Sequence, residues 1–315
     1  MTLETLNIGK ANLEIFSATV MELAEKDRDI LVVTSDSRGS GKLIPYGEKF
    51  PEQIVEVGIA EQNLVGVAAG LASAGKNVFA VSPACFLTTR ALEQIKNDVA
   101  YSNQPVTLVG ISAGVSYGAL GTTHFSIHDV AVLRAINNIQ IVVPADNFEA
   151  REAVLAASKT SIPIFLKFGK KNMPDLPRME EKFEIGKASV ICKGIEVAFI
   201  ACGETVAPAY EAARMLESKG ISAEVISMHT IHPLDKNTIT ELAKRCKAIV
   251  TVEEHSVSGG LGEACASLLM QERIFVPFKI VGFPDEDIIA GSQTEMFNYY
   301  GISGEGLAET AMKLL

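Results

Sequence analysis

A carboxylate, an aromatic ring and a histidine stand at the ends of successive apolar runs in the first half of the chain, and an active site could be assembled from them. Glu61 lies in Val57-Gly58-Ile59-Ala60-Glu61-Gln62-Asn63, at a strand-to-helix junction. It opens the segment Leu64 to Ala72, whose residues are apolar or small on every side. Such a helix offers water no polar face and must pack closely against neighbours, as a buried subunit interface would allow. Glu61 is then either a first-turn acid favoured by the helix dipole or a secluded carboxylate that exchanges a proton. Phe86 follows an apolar run in Pro83-Ala84-Cys85-Phe86-Leu87-Thr88-Thr89-Arg90, as a core residue or as the wall of a site. A Gly-rich loop, Gly110 to Phe125, carries Ser112, Leu120 and His124, with Asp129 opening the next helix. Loops at strand C-termini are where α/β folds place ligands. Thr34-Ser35-Asp36-Ser37-Arg38-Gly39-Ser40 and the basic residues Lys167, Lys170 and Lys171 complete the candidates, the lysines as an anion site or as a solvated linker edge.

The elements that must position these groups alternate between amphipathic helix-length segments and short β-branched runs, the pattern of a parallel sheet covered on both faces. The spacing predicts a helix from about Ala11 to Glu25, a strand at Ile30 to Ser35, a short strand near Ile54 to Val57 and a helix from Asn63 to Ala74 closed by Gly75. Strands follow at Val78 to Val81, Val106 to Ile111, Gln140 to Val143 and Ile164 to Phe168. Helices near Leu87 to Tyr101, Val130 to Ile136 and Asn147 to Ser158 connect them. The rhythm breaks between Gly169 and Lys187, where Pro174, Pro177 and mixed charges read as a linker. A second unit has strands at Val197 to Ala201, Ala223 to Ile226, Ala248 to Val252 and Phe278 to Val281, and helices near Thr205 to Lys219, Lys236 to Lys244 and Gly260 to Gln271. The expected fold class is α/β with two doubly wound domains, residues 1–170 and 188–315, joined by a linker at 171–187.

Gly58-Ile59-Ala60-Glu61-Gln62-Asn63 resembles the pyrimidine-domain motif of transketolases and of 1-deoxyxylulose-5-phosphate synthases. The resemblance implies that Glu61 hydrogen-bonds the aminopyrimidine of thiamine diphosphate, in a dry pocket where it shares a proton with a ring nitrogen instead of with water. Residues 79–97 are similar to the segment in which split transketolases carry Ser-Phe-Ala-Ala-Phe-Leu-Thr-Gly-Arg. Phe86 then matches the residue that stacks on the pyrimidine, while Pro83 replaces the family's other aromatic. Asp36, Ile59, Glu61, Phe86 and Arg90 are the cofactor-binding candidates the motifs imply. The loop resembles Thr-His-Ala-Gly-x-x-x-Gly-Glu-Asp-Gly-x-Thr-His-Gln, with Gly114, Gly118, Gly121, Thr123 and His124 in register. His124 would then orient donor oxygens and assist proton transfer, making Glu61 and His124 the catalytic candidates. Ser40, Ser112, Leu120, His124 and Lys170 fall at substrate-binding positions. Ser112 stands where the family has a histidine that helps hold the substrate, Leu120 where it has an aspartate that recognises a sugar hydroxyl, Phe125 where it has glutamine, and Lys170 where it has arginine. Loss of a buried polar partner changes specificity strongly, and lysine for arginine keeps charge but loses bidentate anion geometry.

A formal charge of −10 argues against a nucleic-acid partner, since polyanion binding needs concentrated Lys and Arg. Five cysteines without CxxC spacing indicate neither a disulfide framework nor a zinc site, and fit reduced thiols in a cytoplasm. Met1 to Lys10 lacks a basic region followed by an apolar stretch, and no run of about 18 apolar residues occurs, so neither a leader nor a membrane span is expected. The family binds Mg²⁺ and the diphosphate through Gly-Asp-Gly and a downstream Asn. This sequence contains no Gly-Asp-Gly. The implied cofactors are thiamine diphosphate and Mg²⁺, the metal held by a diphosphate-binding N-terminal transketolase subunit in an α2β2 heterotetramer, with no metal ligand on this chain. The C-terminal unit then serves mainly in assembly, with an anion site at a helix N-terminus, shaped by His255 and Gly259 to Gly262, as the alternative. The activity implied is transfer of a two-carbon ketol unit from an anionic ketose to an aldose. The β subunit of a 2-oxo-acid dehydrogenase and a non-catalytic assembly subunit are the alternatives.

Overall fold

The computed structural model describes residues 6–315; the beginning of the first expected domain and of the segment read for a leader, residues 1–5, lies outside the described residues. β-branched runs form two mainly parallel sheets. The first has seven strands in the order Thr230–His232, Gln140–Val142, Ile164–Lys167, Thr107–Ile111, Asn77–Pro83, Ile30–Thr34 and Ile54–Glu56, all parallel except the first. The second has five, Phe278–Phe283, Ala248–Ser256, Val197–Ala201, Ala223–Ser227 and Ser189–Cys192, with only the last antiparallel. Central strands such as Thr107–Ile111 and Val197–Ala201 are buried along their whole length, as helices on both faces require.

On one face of the first sheet, Leu13, Phe16 and Val20 of helix Asn12–Ala24 pack with Ala150 and Val154 of helix Asn147–Ala157. On the other, Leu64, Val65 and Ala68 of helix Glu61–Ser73 join a cluster that also contains Ile200, Ile226 and Leu261 of the second half. One core therefore runs through both halves. Fully buried side chains at this junction bring about 1.5–3 kcal/mol each on removal from water, so the halves are held by burial as well as by pairing.

Several elements depart from the sequence expectations. The helix expected over Leu87 to Tyr101 starts at Ala84, ends at Arg90, and resumes as Leu92–Gln94 and a π-helical turn, Ile95–Tyr101. Pro83, with its fixed φ, ends the strand and begins the helix one turn early. Thr88 and Thr89 then bond back to the carbonyls of Ala84 and Cys85, a habit that bends helices. Asn172–Pro174, within the expected linker, is a strand paired antiparallel with Ile8–Ala11. Thr230–His232, from the second half, completes the edge of the first sheet. Two further helices, Gln293–Tyr299 and Gly304–Leu314, begin at the capping residues Ser292 and Ser303. Among the described residues no helix is long and apolar enough to cross a membrane.

Candidate active site

The C-terminal ends of five neighbouring parallel strands carry the chemistry-bearing groups. Glu61 is the first residue of its helix and only 2% exposed. Its Oε2 accepts from Arg90 Nη1 at 2.6 Å, and the arginine is about half exposed. No described residue engages Oε1 in a hydrogen bond. The Arg90 guanidinium lies 4.9 Å from the centre of the Phe86 ring, which is half-buried. Phe86 in turn meets His124 edge to face at 5.4 Å and 72°. His124 Nδ1 is 3.0 Å from Thr123 Oγ1, and its ring meets Tyr117 at 5.2 Å and 70°. The ammonium of exposed Lys170 sits 4.6 Å over the Tyr117 ring. An unbroken series of contacts thus runs from the buried carboxylate to an exposed cation.

The loop that presents Tyr117 and His124 takes its shape from glycines and from a buried ionic network. Gly118 and Gly121 have φ of +56° and +74°, a region open to glycine at little cost. At Gly114 a Cβ would come 2.1 Å from the Glu254 carboxylate carbon, so only a bare backbone fits. Beneath, Lys167 Nζ donates to Asp129 Oδ1 at 2.9 Å and to the carbonyls of Ser126 and Glu254, and Ser126 Oγ donates to Asp129 Oδ2. Glu254 Oε1 accepts from the Val115 backbone N–H. Burial alone would neutralise both ionic partners. The Lys167 charge nevertheless holds Asp129 below the usual carboxylate range, and the Asp129 and Glu254 charges raise Lys167. The reading of Lys167 as part of an exposed anion site is therefore corrected: its ammonium is buried and spoken for.

Within the second half, Gln293 Nε2 donates to Glu204 Oε2 at 2.7 Å and Glu254 Oε1 at 2.8 Å. Glu204 and Glu254, with Lys167, Glu253 and His255, line a cavity of about 20 Å³, enough for one water. Burial raises Glu204 and Glu254, the Glu254 charge raises Glu204 further and the Asp129 charge raises Glu254; burial pushes Glu253 up to about 7. A carboxylate that holds its proton more tightly folded than unfolded lends stability below its raised pKa and loses it as pH climbs from the ordinary value. Glu204→Gln keeps an acceptor for Gln293 and removes the titration. Urea midpoints at about pH 5 and about pH 8 should show a smaller loss of stability with rising pH than the parent chain.

Other sequence candidates lie outside the contact series. Asp36 is exposed at φ +51°, its N–H donating to Glu56 Oε1 at 2.7 Å. Gly58 N–H donates to the same oxygen and Arg38 pairs with the other, so Glu56 ties the Asp36 loop to the segment leading into Glu61. Ser40 bonds back to the Ser37 carbonyl at 3.2 Å. Ile59 is 75% exposed and Leu120 56% exposed. Ser112 is buried at φ +53°, its hydroxyl without a hydrogen-bond partner among the described residues. Sequence reasoning passed over Tyr117 and Glu56. Tyr117 occupies a variable place in the loop motif, where an aromatic between glycines was the one available signal.

Residues 9–175 match the family described as transketolase, pyrimidine binding domain, and residues 186–307 that described as transketolase, C-terminal domain. The chain belongs to the transketolase family. A protein of Phocaeicola vulgatus named as one of the subunits of apulose-4-phosphate transketolase is 44% identical over 95% of this chain and 96% of its own length. A solved split-gene transketolase, described as an inactive beta4 tetramer, superposes with a TM-score of 0.86 at 35% identity, covering 98% of both chains. The 1-deoxy-D-xylulose-5-phosphate synthase of Halothermothrix orenii is 34% identical, but the chain spans only 48% of its length. The chain is thus a thiamine-diphosphate-dependent transketolase component for ketol transfer, and its two α/β sheets are those of the family.

Proposed function

We propose that this chain contributes the pyrimidine side of a split active site and that Glu61 is its essential acid. The supporting observation is Glu61 itself, sunk at a helix start with Oε1 free, within one contact series that also holds Phe86, His124 and Lys170. A buried carboxylate joined through Arg90 to a half-buried ring fits an aminopyrimidine, which needs one hydrogen-bonding acid and one flat wall. When bound, thiamine diphosphate supplies the nucleophilic carbon that splits the donor's carbon–carbon bond. Glu61 then holds a proton at the pyrimidine nitrogen, Arg90 keeps the carboxylate in place, and Phe86 and Ile59 flank the ring. Asp36 lies toward the cofactor. His124 is fixed by Thr123 and by two aromatic edges, which orients its imidazole toward donor oxygens. Lys170, with Ser40, receives the donor's anionic end, and Ser112 and Leu120 set how much of the sugar is read.

A second polypeptide, bearing Gly-Asp-Gly and a downstream Asn, supplies the diphosphate and Mg²⁺ site, and two of each chain form the α2β2 enzyme. Residues 1–170 and 188–315 act as its pyrimidine and assembly domains. The enzyme works in cytoplasmic carbohydrate metabolism, and its donor is a ketose phosphate of the kind named for the P. vulgatus relative. The purified chain alone is expected to show no ketol transfer. Mixing it with the diphosphate-binding subunit, thiamine diphosphate and Mg²⁺ should produce turnover of a ketose phosphate panel that includes apulose 4-phosphate. Turnover of a 2-oxo acid instead, or full activity of the single chain, would overturn the proposal.

A further inference from the structure

The loop motif lacks the histidine that helps hold the substrate, since Ser112 is too short to reach as far as an imidazole. The structure shows what stands beside the gap. Tyr117 lies five residues on, half-buried, with His124 against its ring at 5.2 Å and the Lys170 ammonium over it at 4.6 Å. The Ser112 hydroxyl itself is buried and has no hydrogen-bond partner among the described residues. Burial raises the phenol's pKa, so the group remains a neutral donor at neutral pH. The Tyr117 ring therefore stands in contact with both His124 and the Lys170 ammonium, in the same loop that carries Ser112.

We propose that Tyr117 takes over the missing histidine's role, its phenol hydrogen-bonding a hydroxyl of the ketose donor beyond the transferred two-carbon unit. The inference rests on the split-active-site reading above. It makes Tyr117 a specificity-determining residue, because a site that pairs a substrate hydroxyl discriminates far better than one that fits apolar shape. The tyrosine ring has a second task, as a platform that holds the Lys170 cation by its π face.

Tyr117→Phe in the assembled holoenzyme separates these tasks, since the ring, the His124 contact and the cation–π contact all survive. Two donors are compared: a ketose phosphate, and hydroxypyruvate, which carries no sugar hydroxyl beyond the ketol unit. The expected result is a fall of about tenfold in kcat/KM for the ketose phosphate, mostly in KM, with hydroxypyruvate unchanged. An equal fall for both donors, or none for either, overturns the inference. Glu61→Gln is run in parallel. If it retains full activity the underlying reading fails, whereas an inactive Glu61→Gln enzyme beside an unaltered Tyr117→Phe enzyme removes only the role given to Tyr117.

Discussion

Glu61→Gln is expected to lower kcat of the assembled enzyme by about 10²–10⁴-fold, the usual worth of a positioned acid or base, while leaving assembly intact. Glutamine matches glutamate in shape, and its carbonyl oxygen can still accept from Arg90, which meets Oε2 at 2.6 Å. The helix start is preserved because Glu61 provides no side-chain cap there. What disappears is the ability to hold and release a proton at a site 2% exposed to solvent. Water cannot easily substitute in so closed a place. Steady-state ketol transfer measures the loss, and sedimentation of the mixed subunits checks that the complex forms as before. Activity within tenfold of the parent would remove Glu61 from the mechanism. Loss of both activity and assembly would place it at the interface.

Why Glu61, Phe86 and His124 were legible in the sequence, and Tyr117 and the ionic network were not, follows from the range of the forces involved. Glu61 begins a helix whose Leu64, Val65 and Ala68 face the core, and a carboxylate at such a junction is a local pattern. The strand cores were equally visible, since Ile30–Thr34 and Thr107–Ile111 are β-branched runs between helices. The strands Asn172–Pro174 and Thr230–His232 have three residues each, too few to show a period, and exist because distant partners were there to pair with. The last two helices did carry a local signal that went unread: Ser292 and Ser303 cap them, the first with a full capping box to Glu295. Lys167 read as a surface cation because its partner Asp129 is 38 residues away in sequence. Burial of a charge is a tertiary fact.

Replacing Lys167 by Met is expected to destabilise the chain by about 3–5 kcal/mol, the cost of leaving one member of a buried ion pair without its partner. Asp129 has no exposed surface and Lys167 is 6% exposed, so solvent cannot repair the loss. The remaining carboxylate must either stay charged in an apolar setting or take up a proton. In the parent protein Asp129 is held below the usual carboxylate range, so the pair contributes fully at neutral pH and its contribution fades as acid protonates Asp129. The sign is opposite to that of Glu204, which loses stability on the alkaline side. Urea unfolding of Lys167→Met should therefore show its largest deficit at neutral pH, narrowing toward acid. The double variant Asp129→Asn with Lys167→Met should recover much of the loss, because a neutral amide can keep the Ser126 and Val130 hydrogen bonds without a charge to satisfy. A single variant as stable as the parent at neutral pH would mean that Lys167 is not buried in solution. The loop carrying Tyr117 and His124 would then need another anchor, since Lys167 also bonds the carbonyls of Ser126, on that loop's return, and Glu254, which holds its start.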